Sequence, residues 1–430
     1  MTAPFLLLRG DALGTLRAIR DESVHAIVTS PPYWGLRDYG VAGQLGGEPT
    51  PSAFVAKMVE IFREVRRVLR RDGTLWLNFG DCYANTHPCG GAAAVKRKTG
   101  HAGDRARQIA MGSRVVEGLK PKDLVGMPWR VATALQADGW WLRADVVWHK
   151  PNALPESVRD RPTRAHEYVF MLTRSKRYFY DRDAVAEPFK ASTVAEAAAS
   201  YTGRDLKDYD GEGVQRPGKV KRGIIARIQS RVLRGANMRT VWSLTPENYR
   251  GAHFATFPSA LVRQCILAST SAHGACPGCG APWRRLVVAR GGSIGDGSWH
   301  DHADDAATGQ GSPPRGARKN KKHDPMARAG TMGINGRPQL DGYHRVHQGW
   351  ESACRCGALE PVPCVVLDPF VGSGTTVATA VRFGRAGIGI DLSGRYLRMA
   401  RRRIGRALGE IEIKGPGGAM TTVRQATLFG

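Results

Sequence analysis

The chain has 430 residues, enough for two or three domains with ample core, and its 63 Lys and Arg against 38 Asp and Glu leave a formal charge of +25. That excess suits a polyanionic partner, because cations set against phosphates release condensed counterions. No run of about 18 apolar residues is present to span a membrane, and "MTAPFLLLRGDAL" has too short an apolar run and the wrong flanks for a secretory signal, so a cytoplasmic protein with no membrane partner is expected. In that compartment the eight cysteines are expected as thiols or metal ligands rather than disulfides.

In chain order, "PFLLLRGD" and "VHAIVTS" are apolar runs separated by "ALGTLRAIRDES", the pattern of strand, helix, strand. The second run stops at "SPPYW". A prolyl pair cannot donate ladder hydrogen bonds and holds the preceding residue extended, so the sheet must end at Ser30. What remains is a rigid backbone offering a carbonyl, a hydroxyl and aromatic faces, suited to a planar hydrogen-bonding ligand such as a nucleobase. A Pro-Pro turn with a packed Tyr33 and Trp34 is the plainer reading of that stretch alone.

Downstream, Phe54, Met58, Ile61, Phe62, Val65, Val68 and Leu69 recur at helical spacing ahead of a strand over 74–78. "LVGMPWRVATALQADGWWLRADVVWHK" repeats helix then strand, and the sheet is expected to continue through "HEYVFMLTRS" and "RYFYD". Residues 84–118 are rich in Gly, Ala and basic residues without a period and read as a mobile basic loop. Residues 183–240, basic and partly amphipathic, read as a separate lobe, and 290–350 as poorly ordered.

In "VVLDPFVGSGTTVATAV" an apolar strand ends at Asp368, a turn with Gly372 and Gly374 follows, and a helix begins near Thr375. A second strand, "AGIGID", ends in Asp391, the place from which a carboxylate accepts ribose hydroxyls in doubly wound sheets. "TTVA" follows Gly374 with no third glycine at the dinucleotide offset, which disfavours an NAD site.

Taken together, "VTSPPYW" and "DPFVGSGTT" resemble the catalytic and FxGxG motifs of the S-adenosylmethionine-dependent DNA amino-methyltransferases, in the circularly permuted arrangement where the catalytic motif comes first. "GDALGTL", "GTLWLNFGD", "VVWHKPNALPESVRDRPTRAHEYVFMLTRS" and "HFATFPSALV" resemble further blocks of that family, in the family's order. The resemblance implies a doubly wound, Rossmann-like α/β methyltransferase sheet, with a catalytic half at 1–182, a target-recognition region at 183–245, a cofactor-proximal block at 246–271, a Cys-rich insertion at 272–357, the cofactor-binding half at 358–412 and a tail at 413–430.

It also implies roles. Ser30, Pro31, Pro32 and Tyr33 would carry catalysis; Asp368, Phe370, Gly372 and Gly374 would form the cradle for the methionine part of the cofactor, with Thr256, Phe257 and Pro258 beside it. Asp391 would take the ribose and Asp11 would lie by the adenine. Asp11 also stands where it would cap the helix starting at Ala12, and Phe257 where a core residue would. Ser-Pro-Pro-Tyr is mostly associated in the family with the N4 amine of cytosine, so the resemblance favours cytosine in double-stranded DNA, with adenine N6 as the alternative and a non-catalytic zinc-containing DNA-binding protein as the remoter one. A bacterial or phage-encoded modification enzyme is implied.

Where the family has a short connection before the cofactor strand, this chain has an insertion that opens with Cys276 and Cys279 and closes with Cys354 and Cys356. Two close thiol pairs can complete a tetrahedral zinc site, although CxC is the less usual half, and unligated surface thiols are the alternative. Cys82, Cys89, Cys265 and Cys364 read as ordinary core or loop residues. The end, "RQATLFG", resembles the peptide by which bacterial replication proteins bind the sliding clamp, through Gln425, Leu428 and Phe429; folding back of Leu428 and Phe429 onto the body is the equal alternative.

Overall fold

A computed structural model describes residues 4–35, 43–84, 116, 118–188, 236–247, 257–290, 344–357, 360–414 and 420–424. Two compact units divide the chain: Met1–Val185 with Asn237–Arg285 and Trp350–Gly430, and Ala186–Ala236 with Leu286–Gly349. Most of the expected basic loop at 84–118, most of the recognition region, Thr256, Cys89, the middle of the insertion, and Gln425, Leu428 and Phe429 lie outside the described residues.

Described elements run β1 (Phe5–Arg9), α1 (Ala12–Arg17), β2 (Val24–Thr29), α2 (Pro51–Val68), β3 (Leu69–Phe79), α3 (Met127–Ala137), β4 (Trp141–His149), β5 (His166–Thr173), β6 (Val241–Ser243), α4 (Ser259–Ser269), β7 (Arg284–Arg290), β8 (His344–Glu351), β9 (Val365–Asp368), α5 (Thr375–Arg382), β10 (Ala386–Asp391), α6 (Gly394–Ala407), β11 (Glu410–Lys414) and β12 (Met420–Arg424). Eight strands form one sheet in the order β1-β10-β9-β2-β3-β5-β4-β6, while β7 with β8 and β11 with β12 form separate ribbons. From β1 to β3 every pairing is parallel; β5 is antiparallel to β3 and β4, and β6 is parallel to β4.

The first unit is a doubly wound α/β sandwich. All six residues of β2 are buried, as a strand covered on both faces requires. Helix α2 begins at Thr50, whose hydroxyl accepts from the Ala53 amide, with Pro51 in the first turn where its missing N–H costs nothing. Its buried stripe of Phe54, Met58, Ile61, Phe62, Val65 and Val68 joins Leu16 of α1 and Val131 and Leu135 of α3 on one face of the sheet. On the other face Leu261, Val262, Cys265 and Ile266 of α4 pack with Trp76, Trp148, Trp242 and Ala380. Val377 and Val381 of α5 close against Ile404 of α6.

Three expectations are corrected. The strand expected over 74–78 extends back to Leu69, which leaves the helical run and pairs with Val24 before an irregularity shifts the register. "RYFYD" adds no strand: after β5 the chain turns at Ser175, and Phe179 and Asp181 send single amide bonds to Asp72 and Ala268 while Arg285 pairs with the buried Asp181 at 3.0 Å. Val241–Ser243, inside the span assigned to target recognition, is the edge strand of the main sheet, and Trp242 is buried in its core. Among the described residues no helix is long and apolar enough to cross a membrane.

Gly374 is where the turn after β9 becomes α5. Its φ is 85°, and a Cβ there would lie 2.7 Å from the Ala400 Cα of α6. Gly374→Ala should therefore separate α5 from α6 and lower unfolding free energy by about 2 kcal/mol or more, measured by denaturant titration.

Candidate functional site

The parallel half of the sheet presents the carboxyl ends of β1, β10, β9, β2 and β3 along one edge, the edge where open α/β sheets hold ligands. A cavity of about 810 Å³ opens there, lined from β1 by Asp11, from β2 by Ser30–Tyr33, from β9 by Pro369–Ser373 and from β10 by Asp391 and Ser393.

On the β9 side the turn is pinned by two carboxylates. Asp368, 1% exposed, accepts from Thr29 Oγ1 at 2.7 Å and from the Phe370 amide at 3.0 Å, so it lies beneath the cradle and ties β9 to β2. Burial pushes its carboxyl up to about 6 despite these donors. Asp391 accepts from the Gly372 amide at 2.9 Å and the Ser393 amide at 2.7 Å, one on each oxygen, and each oxygen retains a lone pair for a ligand. Burial raises the Asp391 carboxyl too. Gly372 has φ 49°, and a Cβ added to it would approach nothing closer than the Phe370 carbonyl at 3.8 Å; it leaves open space beside the cavity, whereas Gly374 meets α6. Phe370, Gly372, Asp391, Asp11 and Phe257 line the cavity, while Asp368, Gly374 and Pro258 do not. Asp11 also caps α1, accepting the Gly14 amide at 2.8 Å.

On the β2 side the two aromatics of SPPYW part company. Trp34 is 3% exposed and donates Nε1–H to the Glu48 carbonyl at 2.9 Å, so it is core. Tyr33 lines the cavity with its ring stacked on Phe79 at 5.1 Å. Its hydroxyl stands 2.8 Å from Glu167 Oε2 and 3.2 Å from Asn78 Oδ1, and accepts from Ser30 Oγ at 3.1 Å. Asn78 Nδ2 donates to Glu167 Oε2 at 3.1 Å and to the Tyr168 carbonyl at 3.1 Å. Lys150, whose ammonium lies 4.4 Å over the Trp148 ring, pairs with Glu167 Oε1. Glu167, Lys150 and Asn78 went unsingled in the sequence because they sit on three different strands or strand ends; only the register that sets Asn78 against Val169, Phe79 against Tyr168 and Trp148 against Glu167 brings them together. Asp81, also lining the cavity, accepts the Gly126 and Met127 amides and so caps α3, which has no side-chain cap of its own.

Away from the cavity, the sulfurs of Cys276, Cys279, Cys354 and Cys356 lie within 4.8 Å of one another, compact enough to close on one tetrahedral ion. The knuckle that carries the first pair is moored to the main sheet. Arg70 donates to the Cys279 carbonyl at 2.7 Å, and the His25 ring bridges the Gly280 carbonyl at 2.9 Å and the Val365 amide at 2.9 Å. Because Nδ1 accepts from Val365, Nε2 carries the proton. Burial, then the charge of Arg70, lowers His25 to about 4 and keeps it neutral.

The sequence profile of the family described as DNA methylase matches residues 24–276 and 363–402. This chain belongs to that family. Among curated relatives, the methylase is 47% identical to the Type II methyltransferase M.Cfr9I of Citrobacter freundii over 264 residues, 61% of this chain and 72% of that protein. It is 43% identical to the Type II methyltransferase M.SmaI of Serratia marcescens over 270 residues, 62% of this chain and 76% of that protein. Among solved structures, the PvuII DNA methyltransferase (cytosine-N4-specific) aligns over 94% of this chain and 87% of its own with 14% identity and a TM-score of 0.47. The family match stops at 276 and resumes at 363, on either side of the cysteine-bounded insertion.

Asp368 gives the methylase a pH signature. Its carboxyl titrates near 6 when folded against an ordinary value of 3.8, so the unfolded chain gives up this proton first as pH rises. This group's contribution to stability should fall between about pH 4 and pH 6, by on the order of 3 kcal/mol in all. Asp368→Asn keeps an acceptor oxygen without the charge and should flatten that part of the profile in denaturant titrations run across pH.

Proposed function

We propose that this methylase transfers the methyl group of S-adenosylmethionine to the exocyclic N4 amine of a cytosine flipped out of double-stranded DNA, at a specific sequence. The observation that carries the reading is the shared cavity, which sets the Ser30–Tyr33 turn and the Pro369–Ser373 turn with Asp391 around one space. The relatives are named Type II methyltransferases, which accords with a modification enzyme of a restriction system in a bacterium or phage.

The cradle fits the cofactor: Phe370 offers apolar surface, Gly372 leaves room, Asp391 retains lone pairs for a ribose and Asp11 stands across the cavity. When bound, S-adenosylmethionine supplies a methyl group on an electron-poor sulfonium. An exocyclic amine conjugated to a ring is a poor nucleophile, so the chain's part is to orient it and draw its N–H bonds toward fixed acceptors. Ser30 Oγ and the Pro31 carbonyl supply those acceptors; Pro31 and Pro32 hold them, and Tyr33, backed by Phe79, is a flat support for the base. The target must leave the stack, at a cost of a few kcal/mol, because its amine is out of reach in the duplex. The charge of +25 favours the DNA encounter. Cytosine over adenine rests on Ser30 heading the motif.

The permuted arrangement is supported by the chain meeting the SPPY strand first while β9 lies directly beside it. The recognition role of 183–245 and the clamp-binding role of Gln425, Leu428 and Phe429 rest on the sequence alone. The four cysteines would hold a zinc ion that ties the ends of the insertion together.

Ser30→Ala should bind cofactor as the parent does and lose methyl transfer by about 100-fold or more, scored by mass spectrometry of nucleosides from treated DNA. Appearance of N6-methyladenine in place of N4-methylcytosine in the parent's product would move the target to adenine. Purified protein should carry about one zinc per chain, and a Cys276→Ser, Cys279→Ser variant should lose it; unchanged metal content in that variant refutes this ligand set.

A further inference from the structure

The hydrogens of the network beside the cavity can run in only one direction. Tyr33 carries a single hydroxyl proton, and its shorter bond, 2.8 Å, goes to Glu167. A charged acceptor holds a donor about twice as strongly as a neutral one, so the carboxylate takes that proton in preference to Asn78 Oδ1 at 3.2 Å. Glu167 stays ionised: burial works to raise its carboxyl, but the charge of Lys150 and the hydrogen bonds from Lys150, Tyr33 and Asn78 hold it below the ordinary range. An ionised carboxylate can only accept, so it never returns a hydrogen to Tyr33. The Tyr33 oxygen is left with lone pairs for Ser30, which donates to it at 3.1 Å. The one hydrogen of Ser30 is thus committed to Tyr33, and what Ser30 Oγ offers the cavity is lone pairs.

We propose that Glu167 is a positioning residue that acts through Tyr33 to fix Ser30 Oγ as a hydrogen-bond acceptor toward the amine of the target base. This rests on the reading of Ser30 given above. It assigns the half-buried Lys150–Glu167 pair a part in the reaction: Lys150 keeps Glu167 an acceptor, Glu167 sets the sense of the Tyr33 hydroxyl, and Tyr33 sets the sense of Ser30. A serine pointing its own hydrogen at the amine would repel the N–H bonds it must attract.

Glu167→Gln tests this in the full chain, since a glutamine of the same shape carries an NH₂ that can donate to Tyr33 and reverse the sequence of hydrogens. With DNA bearing the sequence that the parent leaves methylated, single-turnover methyl transfer should fall about 100-fold, while cofactor affinity by calorimetry stays within about twofold. In a Tyr33→Phe background the link is already cut, and the same substitution should cost less than about twofold. Equal losses in the two backgrounds, a parental rate in Glu167→Gln, or a matching loss of cofactor affinity each overturn the proposal. Should Glu167→Gln fail to give a cooperative thermal transition, the Glu167→Gln, Lys150→Met pair removes both charges and carries the same expectations. Ser30→Ala run alongside separates the two readings: a fully active Ser30→Ala chain refutes the acceptor role of Ser30, whereas an inactive one with equal Glu167→Gln losses in both backgrounds refutes only the coupling to Glu167.

Discussion

The pairing of β2 with β9 is the constraint from which the rest of the site follows. Ala26 lies opposite Val366 and Ile27 opposite Leu367, and the bond from Thr29 Oγ1 to Asp368 seals the carboxyl ends of the two strands. Each strand then stops because of its own sequence. Pro31 and Pro32 end the first ladder, and the turn through Gly372 ends the second; two unrelated turns, 339 positions apart at their sealing bond, come to face one cavity. A parallel sheet allows this at small cost, because every strand from β1 to β3 delivers its carboxyl end to the same edge.

What was legible in the sequence was whatever local chemistry dictates. Pro-Pro after an apolar run fixes the end of β2, and the helical apolar period from Phe54 to Val68 fixes α2. The order strand, glycine turn, helix, strand, acid places Gly372 and Asp391 without reference to any other part of the chain. Local patterns could not distinguish Tyr33 from Trp34, two adjacent aromatics of which one is cavity wall and the other core; the carbonyl of Glu48, which claims the Trp34 indole, belongs to a different segment. Nor could they reveal that Gly374 owes its place to Ala400 while Gly372 owes its place to open space, since both occupy equivalent positions in one motif.

The strand expected at "RYFYD" fails for the same reason. Its run of three aromatics, Tyr178 to Tyr180, is of a composition that strands favour, yet Phe179 and Asp181 satisfy their amides on Asp72 and Ala268, carbonyls that no local pattern anticipates. Glu167 and Lys150 escaped for the opposite reason. In isolation each is an ordinary charged residue on a strand margin, and they meet as a half-buried pair only through the antiparallel β4–β5 register. Chemistry spread over several strands is written in the sheet, and a one-dimensional reading finds only the portion that falls within a single turn.

At the neck of the cysteine-bounded insertion the backbone itself is joined: Ala275 and Val362 exchange both amide bonds at 2.8 Å, and Gly274 lies so close to the Val362 carbonyl that a Cβ would stand 2.5 Å from it. With its ends joined before the excursion begins, the loop imposes almost the same closure entropy on the sheet whatever its length, since that cost grows only with the logarithm of the chain enclosed. The insertion is thus a splice point. A foreign domain with neighbouring termini, a fluorescent reporter or a programmable DNA binder, is best grafted beyond Arg285 and before Cys354, which keeps the cysteine cluster and the partners of Arg70, His25 and Asp181 in place.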